Sequence, residues 1–527
     1  MGRMDLTSAA RGRLDGVRAL LASGAVEPVR PDRLAAIGLA VAQWGLTPAA
    51  GVAAAAARYP RRVAIADEAG VLTYTELDRA ATALAGVLDR RGDVDGSAVG
   101  LLARNSRDFV VGLAALSKAG ADVVLLNSGS SARQTGAVLE RERVRLVLAE
   151  AELAGVLPAG PDVLALGGSR WPAAPPAGPL PRPRHRGRLV VLTSGTTGTP
   201  KGAPREATVR AGLPAAAVLA AIPLRSRETT VIAAPLFHAW GLAHLFTGLL
   251  LGSTLVLHRR PEPATVLRLL ADHRASALVT IPAVLHRLLA VATGPGRPAL
   301  PWLRVVAVSG SALPGDLATR FQDVFGDVLH NLYGSTEAGW ATVAGPADLR
   351  AAPDTAGRPL PGVRVRVVDE RGRDVPVGTV GRVFVGSPLA FTGYTGGEDK
   401  ERLDGLVGTG DLGRFDPSGR LFLAGRGDEM VVSGGENVYP TEVEDALVSH
   451  PAVSEAAVVG RPDPDLGARL VGYVVPVAGA APDPQQLRAH VRDRLARHAV
   501  PREILVVAAL PRNETGKIVK RLLPSPG

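Results

Sequence analysis

The sequence has no cysteine among its 527 residues, which excludes disulfides, a thiol nucleophile and a Cys-ligated zinc site. That composition is compatible with a reducing cytoplasm, the expected location. Lysine is nearly absent as well, with five against 55 arginines. A chain that uses Arg wherever a cation will do makes each Lys conspicuous, because an ammonium is a compact point charge and a guanidinium a planar fork. Long apolar runs are also missing. The stretches near 211–224 and 241–257 are interrupted by Pro214, Pro223, His244 and several glycines, and are too short to span a bilayer. They read as buried elements. The N-terminal MGRMDLTSAARGRLDGVRALLASG is basic without a continuous apolar core, so it does not read as a secretory signal. Gly2 lacks a Ser or Thr at position 6, so the myristoylation pattern fails.

What is present is a globular composition, 46% hydrophobic and 21% charged. The chain is too long for one core, so at least two domains are expected. The net charge of +10 is spread, with no basic run beyond RPRHRGR (182–188), so no nucleic-acid partner is expected. Residues 1–45 read as one or two helices, and TYTELDRAATALAGVLDRRG (73–92) as a Thr-capped helix. Residues 155–187 are rich in Pro and Gly and read as a surface loop. Strand patterns at 229–234, 253–258, 276–281, 303–309 and 328–333 alternate, in their later part, with helical patterns at 263–273, 283–292 and 315–325. This predicts a parallel sheet with covered faces. Ligands in such sheets sit beyond the carboxyl ends of the strands, where SGSALP (309–314) and YGSTEAG (333–339) lie. Short alternating strands over 360–425 predict a small antiparallel or barrel-like piece. A compact α/β segment follows 428, with helices at 440–449 and 483–498 and strands at 453–459, 469–477 and 503–507.

Several loops carry residues suited to chemistry. TSGTTGTPKG (193–202) follows the strand-like RLVVL. Its Gly195, Gly198 and Lys201 do not have the spacing of the Walker A loop. Backbone N–H groups freed by glycine, hydroxyls and one Lys still suit phosphate, and a mobile turn is the competing reading. In YGSTE a ring can stack on a base, Thr336 can donate to a phosphate, and Glu337 can bring magnesium. GTGDLGRF (408–415) sets Asp411 between small residues, suited to two ribose hydroxyls or to an ordinary Asx-turn. GRGDEMVVSGGENVYPTEVE (425–444) reads as a linker or a hinge, and PRNETGKIVKR (511–521) places Lys517 near the end.

In this order, and together with PLFHAWGL (235–242), these motifs resemble the adenylate-forming superfamily, within it the fatty-acyl-CoA synthetases most. The resemblance covers roughly 47 to 525 and leaves residues 1–45 outside as a helical extension. It implies an α/β protein, multi-domain in the α+β sense. An N-terminal domain over 46–427 would hold two α/β subdomains and a small β-barrel, and a mobile C-terminal α/β lid would span 428–527 with its hinge at Asp428. It implies two half-reactions. A carboxylate attacks the α-phosphate of ATP, giving acyl-adenylate and pyrophosphate; CoA thiol then attacks the acyl carbon and AMP leaves.

By the same resemblance Thr193, Ser194, Gly195, Thr196, Thr197, Gly198 and Lys201 would hold the β- and γ-phosphates. Glu337 would hold Mg2+, and Thr336 the α-phosphate. Tyr333 would flank adenine, with Gly310, Ser311 and Ala312 on its other side and Asn331, Gly334 and Ser335 in the same nucleotide site. Asp411 would take the ribose, Arg426 the ribose or phosphate side, and Lys517 would bridge carboxylate and α-phosphate. Ser433, Gly434 and Gly435 would meet CoA after a rotation at Asp428 has withdrawn Lys517. His238, Trp240, Ser309, Gly310 and Gly334 would line the acyl pocket. Amino-acid-activating relatives place Asp where His238 stands, to pair an ammonium; without it an apolar acid is favoured. Two departures stand out: the Trp ahead of TGD is absent, and Val432 occupies a position where relatives often carry Lys. The acceptor is therefore CoA or, alternatively, a carrier protein's phosphopantetheine. Oligomeric state stays open, a homodimer included, as does peripheral contact with a membrane.

Overall fold

The computed structural model describes residues 16, 18–167, 178–193, 201–205, 212–292, 298–397, 399–427, 429–433, 436–463, 467–513 and 516–524. Strands β1 (Val63–Asp67) and β2 (Gly70–Thr73) form a hairpin. Strands β3 (Ala98–Leu102), β4 (Asp122–Leu125), β5 (Leu146–Glu150), β6 (Asp162–Leu166), β7 (Leu189–Thr193) and β8 (Lys201–Arg205) form one sheet in the order β6-β5-β3-β4-β7-β8. All its pairs are parallel except β7–β8. Strand β6 falls inside the stretch read from sequence as a loop. It is an edge strand whose first residues, Asp162 and Val163, are exposed, so its sequence carries little apolar signal.

The second sheet has the predicted parallel core: β9 (Thr229–Ile232), β10 (Thr254–Val256), β11 (Ala277–Thr280), β12 (Val305–Val308) and β13 (Leu329–Ser335). Strands β11 and β12 are buried along their whole length, as expected where helices cover both faces. The β1–β2 hairpin joins beside β10. On the other side hydrogen bonding runs on through antiparallel strands β14 (Gly339–Ala344), β15 (Thr355–Pro359), β16 (Arg364–Val368), β17 (Gly381–Gly386), β18 (Arg402–Leu403), β19 (Leu406–Phe415) and β20 (Leu421–Arg426). The piece expected to be barrel-like is thus continuous with the parallel sheet, in the order β16-β17-β19-β20-β15-β14-β13.

Local signals start the helices. Thr73 and Glu76 form a reciprocal capping box that opens the helix Tyr74–Arg91, and Gly92 closes it in the left-handed region. One large core joins both sheets through Phe109, Leu245, Leu285 and their neighbours. The C-terminal unit has a core of its own, including Val443, Leu447, Val458, Val474 and Leu487. It contains the hairpin β21 (Val431–Ser433) and β22 (Glu436–Val438), and the three-stranded sheet β23 (Val453–Asp463), β24 (Gly467–Pro476) and β25 (Glu503–Val506). The helix predicted over 483–498 ends at Arg492. Beyond it the chain tightens, with the Arg494 N–H donating to the Val491 carbonyl three residues back at 3.1 Å, and a short 3-10 turn covers Arg497–Ala499.

Candidate active site

Two strand ends and one strand pair build the side of the site where the nucleotide residues were expected. Past β12 lie Ser309, buried, and Gly310, whose φ of 96° is a left-handed conformation open to glycine. Strand β13 does not stop at Tyr333 but continues through Gly334 and Ser335, then turns back at Thr336 and Glu337 into β14. A Cβ on Gly334 would stand 2.4 Å from the Gly339 carbonyl oxygen, so this tight return requires glycine. Asp411 also differs from its sequence reading. It lies within strand β19 rather than in an Asx-turn, directly opposite Arg426 of β20.

The pairing joins residues far apart in sequence. Tyr333 Oη donates to Asp411 Oδ2 at 2.5 Å, and Arg426 Nη1 stands 3.8 Å from Asp411 Oδ1. The Asp411 N–H donates to Thr409 Oγ1 at 3.1 Å, and that hydroxyl donates to the Val383 carbonyl at 3.1 Å. Desolvation pushes the Asp411 carboxyl above its usual range, with the Tyr333 hydroxyl, Arg426, Thr409 and Lys517 pulling it back. The Tyr333 phenol is driven well above its ordinary value, first by desolvation and then by Asp411. One carboxylate oxygen is thereby committed to Tyr333, and the other faces Arg426.

At the end where phosphate contacts were expected, Thr193 of β7 pairs in register with Lys201 of β8. Ser194, Gly195, Thr196, Thr197 and Gly198 lie outside the described residues. The Lys201 ammonium sits 5.3 Å from the centre of the Tyr394 ring. Tyr394 Oη donates to Glu337 Oε1 at 2.6 Å, the Phe391 N–H to the Glu337 carbonyl at 2.8 Å, and the Thr395 N–H to the Gly202 carbonyl at 3.0 Å. The segment SPLAFTGYT (387–395) therefore ties strand β8 to Glu337. Sequence reasoning passed over it. The available signal was a Tyr in a Gly-rich stretch of a chain that has only six.

Among the described residues no group of three or more His, Asp or Glu side chains could hold a metal by itself. A magnesium ion bound to substrate phosphates needs one or two carboxylates, and Glu337, with one oxygen engaged by Tyr394, fits that requirement.

Lys517 arrives from the C-terminal unit. Its N–H donates to Asn513 Oδ1 at 2.9 Å, and its carbonyl accepts from the Asn513 N–H at 2.9 Å, which closes a tight loop. Gly516, with φ of 76°, seats that loop on the large unit; a Cβ there would stand 2.7 Å from Ala283 Cβ. Lys520 is held between Glu429 and Glu444, each at 2.9 Å. Asp428, Gly434 and Gly435 lie outside the described residues.

All of this faces one cleft of about 1600 Å3. Every described candidate residue except Ser433 lines it: Thr193, Lys201, His238, Trp240, Ser309, Gly310, Ser311, Ala312, Asn331, Tyr333, Gly334, Ser335, Thr336, Glu337, Asp411, Arg426 and Lys517. Ser433 is buried in its hairpin. From the polar end an apolar arm runs along the helix Ala239–Leu251, past Leu242, Ala243, Phe246 and Leu250, to the helices Pro31–Trp44 and Pro48–Arg58. Trp240 Nε1 donates to the Thr280 carbonyl at 2.9 Å, which fixes its ring at the junction. Burial lowers the pKa of His238 to about 4, and its Nε2 is buried without a hydrogen-bond partner, so the imidazole is neutral at ordinary pH.

The AMP-binding enzyme family model matches residues 9–395, and the AMP-binding enzyme C-terminal domain matches 442–517. The chain belongs to the AMP-binding enzyme family. The match begins at residue 9, so likeness to the family reaches into the segment expected to lie outside it. The fatty acid–[acyl-carrier-protein] ligase ScoC of Streptomyces coeruleorubidus is 32% identical over 88% of this chain and 93% of its own length. A feruloyl-CoA synthase of an Amycolatopsis species is 33% identical over 88% of this chain and 95% of its own. The solved o-succinylbenzoate CoA synthetase of Bacillus subtilis, in complex with an acyl-adenylate intermediate, superimposes with a TM-score of 0.80. It is 25% identical, over 90% of this chain and 98% of its own. This AMP-binding enzyme is an adenylate-forming ligase of the kind that joins an acid to CoA or to a carrier protein. Among its described residues no helix is long and apolar enough to cross a membrane.

Proposed function

We propose that the chain activates a fatty, apolar carboxylic acid with ATP and passes it to CoA, releasing AMP and pyrophosphate. One observation carries the choice of acid: the cleft joins a charged end to an apolar arm, and the residue after Phe237 is a neutral His238 rather than a carboxylate. An acid bearing an ammonium would meet no countercharge at that position. In this reading the acid carboxylate attacks the α-phosphorus while Lys517 neutralises charge on both partners, and pyrophosphate departs toward Lys201 and the loop it ends. Asp411 holds the ribose through the oxygen that Tyr333 leaves open, with Thr336 at the α-phosphate. Magnesium on Glu337 would neutralise phosphate charge. The hinge at Asp428 would withdraw Lys517 for the thiol step and bring Ser433, Gly434 and Gly435 toward CoA.

A second acceptor, a carrier protein's phosphopantetheine, is favoured by two observations. The relative ScoC is a carrier-protein ligase, and Val432 stands where a cation would help place CoA. A pyrophosphate-release screen over acids of graded chain length, each with CoA, with a phosphopantetheinylated carrier or with neither, separates the readings. Release that grows with chain length and an acyl-CoA product are expected. Silence toward every fatty acid would sink the choice of acid, and product on the carrier alone would replace CoA.

A further inference from the structure

The helix Pro31–Trp44 presents an unusual surface. Its inward face is Arg33, Ile37, Ala40 and Trp44, at helical spacing, and Trp44 lies under the Lys118 ammonium, 4.7 Å from the ring centre. Its outward face is Leu34, Ala35, Gly38, Leu39 and Ala42, and no charge occurs from residue 34 to 44. Leu34 is 59% exposed and Leu39 is 70% exposed. A surface helix normally turns polar residues outward; from Leu34 onward this one turns apolar residues outward. Two further observations bear on what covers it. First, the apolar arm of the cleft ends here, since Val41, Leu46 and Leu250 both line the arm and reach the exterior. Second, the chain's one dense basic run lies alongside. Gln43 Nε2 donates to the Leu180 carbonyl, the Arg186 side chain packs on Gly45, and Arg182, Arg184 and Arg186 are exposed.

An apolar helix face flanked by arginines complements an anionic lipid surface, with leucines below the headgroups and guanidiniums among the phosphates. We infer that the helix Pro31–Trp44 and the arginines of 182–186 form a docking surface for an anionic bilayer, placing the open end of the apolar arm against the lipid. A water-insoluble acid then reaches the cleft without crossing water. The purpose of the surface rests on the apolar-acid reading, whereas the binding does not.

The test is flotation of the full chain with vesicles of phosphatidylcholine alone or mixed with phosphatidylglycerol. Leu34→Glu with Leu39→Glu, two exposed positions outside the cleft lining, serves as the variant. The full chain should float with the mixed vesicles, and less so as salt rises. The double variant should bind at least about tenfold more weakly. Arg182→Ala and Arg184→Ala should each weaken binding about fivefold. Thermal unfolding and pyrophosphate release from a short, water-soluble acid without vesicles should match the parent. Absence of flotation, or flotation that the double variant leaves unchanged, overturns the proposal. So does a concentration-dependent dimer that the variant abolishes in the absence of vesicle binding, which would make a second copy the cover. Flotation that persists while no fatty acid yields pyrophosphate supports docking and counts against the apolar-acid reading alone.

Discussion

The two ends of the cleft are built by different physics. At the polar end, Tyr333, Asp411, Arg426, Glu337, Tyr394 and Lys517 come from distant parts of the chain, and hydrogen bonds and charge lock most of them to one another. At the apolar end, Leu242, Ala243, Phe246 and Leu250 share one helix and line the arm together with residues of two N-terminal helices. A group removed from the first end leaves a partner buried and unsatisfied, whereas a volume changed at the second only reshapes a space. The polar end should therefore respond to substitution with loss of chemistry, and the apolar end with a change of substrate.

The sharpest break in that contrast is Lys517→Ala. Stopped-flow pyrophosphate release should fall by about a thousandfold, as for loss of a transition-state cation. Thioester formation from a supplied acyl-adenylate should stay largely intact; equal loss of both would remove Lys517 from its assigned role. Gly51 probes the other end. It lines the arm, and a Cβ there would meet nothing within 4 Å. Gly51→Leu should cut kcat/KM for the longest acids by more than about tenfold and spare short ones, while stabilising its helix by about 0.8 kcal/mol. A uniform loss across chain lengths would deny the arm its role.

Tyr333→Phe removes one hydrogen bond from Asp411 and should raise the KM for ATP by about tenfold, with a smaller effect on the KM of the acid. The smallest effect concerns the contact between the units. Asp445 lines the cleft with its side chain exposed; partial desolvation there, then repulsion from Glu444, Asp354 and Glu442, raises its carboxyl above the usual range, and solvent screening keeps the consequence small. A carboxyl whose folded pKa lies above its unfolded value costs stability as pH rises from about 4 through the folded value, because the unfolded chain ionises first. Asp445→Asn should therefore leave the melting temperature near that of the parent at pH 4 and raise it by only about a degree at pH 8. A constant offset across that range would exclude Asp445 as the titrating group.

Much of the polar end was legible because its residues sit in short motifs whose types carry chemistry. The parallel core was legible because β11 and β12 are continuous apolar runs. Lysine scarcity was a useful guide. Lys201, Lys400, Lys517 and Lys520 all line the cleft, Lys520 while bridging Glu429 and Glu444, and Lys118 alone is buried elsewhere, on Asp78 at 2.7 Å. Tyr394 escaped notice because its value lies in whom it touches, Lys201 and Glu337.

By itself the sequence determined which side chains could handle phosphate and ribose, their order along the chain, and the alternation of strand and helix, since those depend on residue type and local spacing. Only the tertiary structure decided that Asp411 stands mid-strand with one oxygen committed to Tyr333, and that Gly516 seats Lys517 over the large unit. The same holds for the apolar arm, which ends at an exposed helix. Those facts come from strand register, close backbone approach and the volume left between packed helices, which depend on residues that meet only when the chain is folded.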